Sequence, residues 1–193
     1  MNENDHIKPE FRLIQGGLHQ SAAFGAVRIV AAPEESQPFP VEAMTYEEDT
    51  FLIMSADPEE IHPEIHPIRL MMELEDFKPK KIGSVVVKNG RPLRLLAVIH
   101  DVNHEPTCRD GWVEKALHAV FREVERRGIQ SLGMPLLATR HGRMPCSRFA
   151  QVLGRVLAQT EIKSLKRLWI MAPVPDNRNF LKFFMDNLRL KEA

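Results

Sequence analysis

The residues best placed to do chemistry are Arg140-His141-Gly142-Arg143, near the end of the run Pro-Leu-Leu-Ala-Thr-Arg-His-Gly-Arg-Met-Pro. They stand between a candidate strand and a candidate helix, the kind of junction where α/β proteins hold phosphates and nucleotides. Guanidinium groups there would supply strong donors to an anion, and Gly142 would let backbone N–H groups approach closely. A solvated basic turn is the other reading of the same residues, and both stay open.

Three further constellations carry donor or nucleophile types. His100, His104 and Cys108 are zinc-type donors in a short span, but neighbours along a strand point to opposite faces, which works against convergence. Glu60-Ile61-His62-Pro63-Glu64-Ile65-His66-Pro67 repeats a tetrapeptide. Its histidines would face one another on a helix, but Pro63 and Pro67 argue for an extended or turn segment: a lid, a plug or a metal site. Cys146 follows Pro145 at a candidate helix start, where the helix dipole, Arg143 and Arg148 would favour a thiolate. No Cys–His–acid order accompanies it, and a small buried residue is the simpler reading. No metal site and no catalytic residue is assigned on this basis.

The elements that must position these residues are most regular in the second half. Gly83–Lys88 and Leu93–Ile99 flank Asn89-Gly90, a hairpin signal. Asp110 caps a helix with Val113, Ala116, Leu117, Val120, Phe121 and Val124 on one face, ending at Gly128. A strand over Leu132–Ala138, a helix over 146–159, a strand over Leu168–Ala172 and a terminal helix lined by Phe180, Leu181, Phe183, Phe184 and Leu188 follow. This alternation implies parallel pairing with helices on both sheet faces.

The first half is less regular. Strands are expected at Phe11–Ile14, Ala26–Ala32 and Phe51–Ala56, with turns at Gly16-Gly17 and Gly25. Pro33 to Asp49 reads as a surface loop, and Ile68–Phe77 as a short helix. Trp112 and Trp169 read as core, and the charges of Arg122–Arg127 as a solvated helix face.

The 193 residues are enough for a substantial core, and 44% hydrophobic with 27% charged residues are ordinary globular values. With 26 basic and 26 acidic residues the formal net charge is zero, which argues against nucleic acid and against an anionic membrane as partners. Cys108 and Cys146 suit a reducing compartment. No stretch reaches the roughly eighteen apolar residues of a membrane span, and a cytoplasmic protein is expected.

Two segments resemble a known family. IGSVVVKNGRPLRLLAVIHDV is a hairpin running into a strand that ends Val-Ile-His, and WVEKALHAVFREVERRGIQSLGMPLLATRHGRMP is a helix, a Ser-(apolar)-Pro strand and a loop. Together, over roughly half the chain, they resemble the macro domains. The resemblance implies a three-layer α/β/α module with a mixed, mainly parallel central sheet, occupying residues 11–193 after a flexible tail at 1–10. It also implies a cleft for ADP-ribose or a related nucleotide; some members only bind, and others hydrolyse ADP-ribosyl linkages.

On this resemblance Ala138, Thr139, Arg140, His141, Gly142 and Arg143 form a phosphate loop, where the family pattern is Gly-Thr-Gly and a variable pair ending in Gly. FLIMSAD falls where the family has apolar-apolar-Asn-Ala-Ala-Asn. That puts Met54 and Asp57 at the two Asn positions and makes Asp57 a ligand-binding candidate. PEEIHPEIHP replaces the glycine-rich segment that follows. The expectation is a module that binds a phosphate-bearing nucleotide metabolite without robust hydrolase activity and without a cofactor. A scaffold binding a protein partner, and an ADP-ribosyl hydrolase using Asp57 or His100 to position water, are the alternatives.

Overall fold

Runs of residues buried on both sides build the sheet, and apolar stripes dock helices on it. The computed structural model describes residues 20–54, 78–174 and 176–189; the Phe11–Ile14 strand, the Ile68–Phe77 helix, the Glu60–Pro67 repeat and Asp57 lie outside the described residues. The strands are β1 (Gln20–Phe24), β2 (Val27–Ala32), β3 (Ala43–Asp49), β4 (Val85–Lys88), β5 (Leu93–His100), β6 (Ser131–Pro135) and β7 (Arg167–Met171). The helices are α1 (Asp110–Arg127), α2 (Cys146–Gln159) and α3 (Asp176–Arg189).

The seven strands form one sheet in the order β1-β2-β7-β6-β3-β5-β4. β2, β7, β6, β3 and β5 run parallel, so their carboxyl ends share one edge. The outer strands are antiparallel hairpin partners: β1 turns into β2 at Gly25, and β4 pairs β5 across the loop that holds Asn89-Gly90. The architecture is three-layer α/β/α around this mixed, mainly parallel sheet.

β5 shows why the central strands read so clearly. From Leu95 to Ile99 every residue is 0% exposed, as expected of a strand covered on both faces. The stripes of α1 and α2 are buried as their spacing predicts, in one cluster with Ile29, Leu95, Leu132 and Leu168 of the sheet. Phe180, Leu181 and Phe184 of α3 join the same cluster, so α1, α2 and α3 form one of the two outer layers. On the other face Trp169 packs with Val30 and Ala32, against Phe39 and Met44. No helix among the described residues is long and apolar enough to cross a membrane.

Several expectations are corrected. Pro33–Asp49 is not all surface loop: its last seven residues are β3, between β6 and β5. Phe51 to Met54 is a turn, not a strand, with Leu52 at φ 61° and Ile53 57% exposed. β6 stops at Pro135, and Leu136–Ala138 belong to the turn after it. Asp110 is the first helical residue of α1 rather than its cap, which is Arg109. Trp112 is half-buried under the Arg109 guanidinium, 5.1 Å from its ring centre. Arg126 and Arg127 pair with Glu123 on the solvated face, as expected.

One carboxylate ties α1 to the loop before β7. Glu125 accepts the N–H groups of Lys163 and Ser164 at 3.0 Å, and that of Leu165 at 3.5 Å. Burial opposes its charge, but these donors together outweigh burial and hold its pKa below the usual 4.5. A depressed folded-state pKa contributes stability that is present above the unfolded value and lost as pH falls through the folded one. Glu125→Gln is expected to lower the unfolding free energy by about 1–2 kcal/mol at neutral pH. Denaturant titrations should show the difference from wild type shrinking in acid.

Candidate functional site

The loops that leave the shared carboxyl edge enclose a cleft of about 850 Å³. In strand order, its wall takes Glu34 and Glu35 after β2, and Met171, Pro173 and Asp176 around the end of β7. The turn after β6 contributes Thr139, Arg140 and His141, and β3 contributes Thr45, Tyr46 and Glu47, with Met54 just beyond. Crevices outside the carboxyl ends of parallel strands are where α/β sheets bind ligands.

The turn after β6 is tightly built. Thr139 donates both its N–H and its hydroxyl to the Leu136 carbonyl, at 3.2 and 2.7 Å. Ala138 is fully buried at φ 63°, and its carbonyl accepts the Met144 N–H at 3.0 Å. Gly142 is held so closely that a Cβ there would lie 2.8 Å from the Ala138 carbonyl oxygen. Arg140, His141 and Arg143 are exposed; Arg140 and His141 are on the cleft wall, whereas Gly142 and Arg143 are in the turn but off the wall. Among the described residues, nothing accepts from the backbone N–H groups of Arg140, His141, Gly142 or Arg143.

α2 begins immediately after this turn, capped by Pro145 with no side-chain hydrogen bond and with no acidic residue in its first turn. Its first amides and the positive end of its dipole therefore remain available to an anion. Cys146, on the cleft wall, is not a poised nucleophile. Burial and then the charge of Asp176 push its thiol up to about 11, and Arg148 turns to Asp110 at 2.5 Å instead.

The residue that the sequence did not single out is Glu47. Its carboxylate accepts the Ala138 N–H at 2.9 Å through one oxygen and meets His100 Nε2 at 2.5 Å through the other. β5 carries one extra residue opposite Glu48–Asp49, and this irregularity re-aims His100 at the strand end. The strand end that the resemblance highlights thus supports Glu47, and through it the turn. Thr45, two residues earlier on the same face, is 0% exposed, and its hydroxyl has no hydrogen-bond partner among the described residues. The Thr-x-Glu alternation in Met44-Thr45-Tyr46-Glu47 was the available signal.

The zinc reading does not assemble. His100 is taken by Glu47, His104 pairs with Asp101 at 2.8 Å, and Cys108 is buried opposite His100. Burial, then the Glu47 charge, push the Cys108 thiol up to about 12. Among the described residues no three His, Cys, Asp or Glu groups converge as a metal site.

No protein-family model matches the chain, and no curated protein does. Solved structures do match it. The Oceanobacillus iheyensis macrodomain with ADP gives a TM-score of 0.60 at 11% identity, over 95% of this chain and 100% of that one. A point mutant of that macrodomain with ADPR also gives 0.60, at 14% identity over 94% and 100%. The Trypanosoma brucei macrodomain in complex with ADP gives 0.54, at 14% identity over 83% of this chain and 68% of that one. At such identities the likeness is one of architecture: this chain has the macrodomain fold.

Proposed function

We propose that this chain binds ADP-ribose or a closely related nucleotide diphosphate in the cleft, without robust hydrolysis. One observation carries the reading: four consecutive N–H groups, from Arg140 to Arg143, have no acceptor among the described residues, and they adjoin both a helix start without a side-chain cap hydrogen bond and the Arg140 guanidinium. Backbone amides, helix dipole and guanidinium are complementary to a diphosphate. That macrodomains of this fold have been solved with ADPR and with ADP supports the choice of ligand. The strand end beside this turn offers Glu47, whose oxygens each already hold one partner, His100 or the Ala138 amide, and Met54 beyond it, which has no ionisable group.

The test is calorimetric titration with ADP-ribose. Wild type should bind, and an Arg140→Ala, Arg143→Ala double variant should bind at least about tenfold more weakly, with the deficit larger at low salt. Thermal unfolding should be nearly unchanged, since both side chains are exposed. Unchanged affinity in the double variant would remove this turn from the site. Turnover of an ADP-ribosylated protein at ordinary enzymatic rates would replace the binding reading with a hydrolase. A third outcome, no binding at all, would leave the partner-binding reading, for which exposed Ile53, Met54, Val102 and Val174 on loops at the same edge are the observation.

A further inference from the structure

We propose that Glu47 selects the ligand class of the cleft: beside the diphosphate it admits an uncharged, hydroxyl-bearing group and excludes one that carries a further phosphate. The inference rests on the reading of the cleft as an ADP-ribose-type site and goes beyond it, because it says what must flank the diphosphate.

The placement of charge carries the argument. The anion-seeking groups of the cleft are concentrated in the turn after β6 and at the start of α2. On the β3 side of that turn stands Glu47, whose side chain is 11% exposed and lies on the cleft wall. Each carboxylate oxygen spends one lone pair, on His100 or on Ala138, and about two of the four acceptor sites of the group remain. Those sites suit hydrogen-bond donors such as the hydroxyls of a sugar. A second phosphate in the same place would meet the carboxylate at short range in a half-enclosed cleft, where like charges repel far more strongly than in water.

Thr45 points independently to a ligand. Its buried hydroxyl, on the cleft wall and without a partner among the described residues, is the kind of group that a ligand satisfies. Thr45 and Glu47 alternate along β3, so a hydroxylated ring lying over the strand end meets a hydroxyl and a carboxylate in succession. Glu47 is also fixed rather than adaptable. His100, 3% exposed, holds one oxygen, and the Ala138 amide holds the other, so the carboxylate does not swing away to accommodate an anion.

The experiment compares ADP-ribose with ADP-ribose phosphorylated at the anomeric position of its terminal ribose, on wild type, Glu47→Gln and Glu47→Asp. Wild type should bind ADP-ribose at least about tenfold more tightly than the phosphorylated form. Glu47→Gln, which removes the charge but keeps the size, should bring that ratio to within about threefold. Glu47→Asp, which keeps the charge, should retain most of the discrimination. If Glu47→Gln does not fold, the wild-type ratio and the Glu47→Asp ratio decide. Equal wild-type affinities would overturn the proposal while leaving the ADP-ribose reading intact. So would a Glu47→Gln protein that binds both ligands more weakly at an unchanged ratio, the signature of a role confined to shaping the turn. Wild type binding neither ligand would overturn both readings.

Discussion

Phe180→Ala is expected to lower the unfolding free energy by about 3–5 kcal/mol. Phe180 is fully buried at the contact between α3, α2 and the sheet. Its ring lies 6.1 Å from that of Phe149 on α2 and is stacked 5.9 Å from that of Phe184 one turn along α3. Phe184 in turn meets Phe24 of β1 edge-on at 6.2 Å. One aromatic row thus fastens the terminal helix to its neighbour helix and to the edge strand, and removing the Phe180 ring loses both of its ring contacts and leaves a cavity. Denaturant unfolding measures the loss, and Phe180→Leu, which refills much of the volume, should cost considerably less. A Phe180→Ala cost under about 1 kcal/mol would mean that α3 is not docked as described.

The parts of this fold that were legible in the sequence are those where burial and local periodicity agree. In α1 the apolar positions named from spacing are the buried ones, and β5 and β7 read as near-continuous apolar runs because both of their faces are covered. β3 was misread for a definite physical reason. It carries Thr45, Glu47, Glu48 and Asp49, and residues of these types are the commonest mark of a surface loop. Here Glu48 is 0% and Asp49 3% exposed.

Local hydrogen bonds make that burial tolerable: Glu48 accepts the Met54 N–H at 3.2 Å, Asp49 accepts the Phe51 N–H, and Glu47 is engaged by His100 and Ala138. None of these partners is a neighbour that a pattern of apolar residues reveals. The apolar run FLIM, expected as a strand, is instead the turn that these carboxylates organise. A functional strand that breaks the apolar rule is where reading by pattern is expected to fail. The turn after β6 was legible from residue 139 onward because its Gly, Arg and Pro signals are local, whereas its first residues, Leu136–Ala138, read as strand. Its support by Glu47, ninety-one positions away in sequence, was invisible for the opposite reason.

Gly142→Val is expected to cost about 1–3 kcal/mol of stability and to abolish ADP-ribose binding, although the substitution removes no charge and no donor. A Cβ at 142 would lie 2.8 Å from the Ala138 carbonyl oxygen, 2.9 Å from Cys108 Cβ and 3.0 Å from Ala138 Cβ. None of these is the free end of a flexible side chain, so relief must come from moving the turn itself. The Ala138 carbonyl cannot withdraw without loosening its bond from the Met144 N–H, and Ala138 cannot shift without disturbing its bond to Glu47. The amides of Arg140 to Arg143 would therefore be displaced, while the Arg140 and Arg143 charges stayed in place. Paired measurements separate the two contributions: Gly142→Val tests the backbone cradle, and the arginine double variant tests the charge. Should Gly142→Val keep wild-type affinity while the double variant loses it, side-chain charge alone would account for anion binding and the backbone amides would have no part in it.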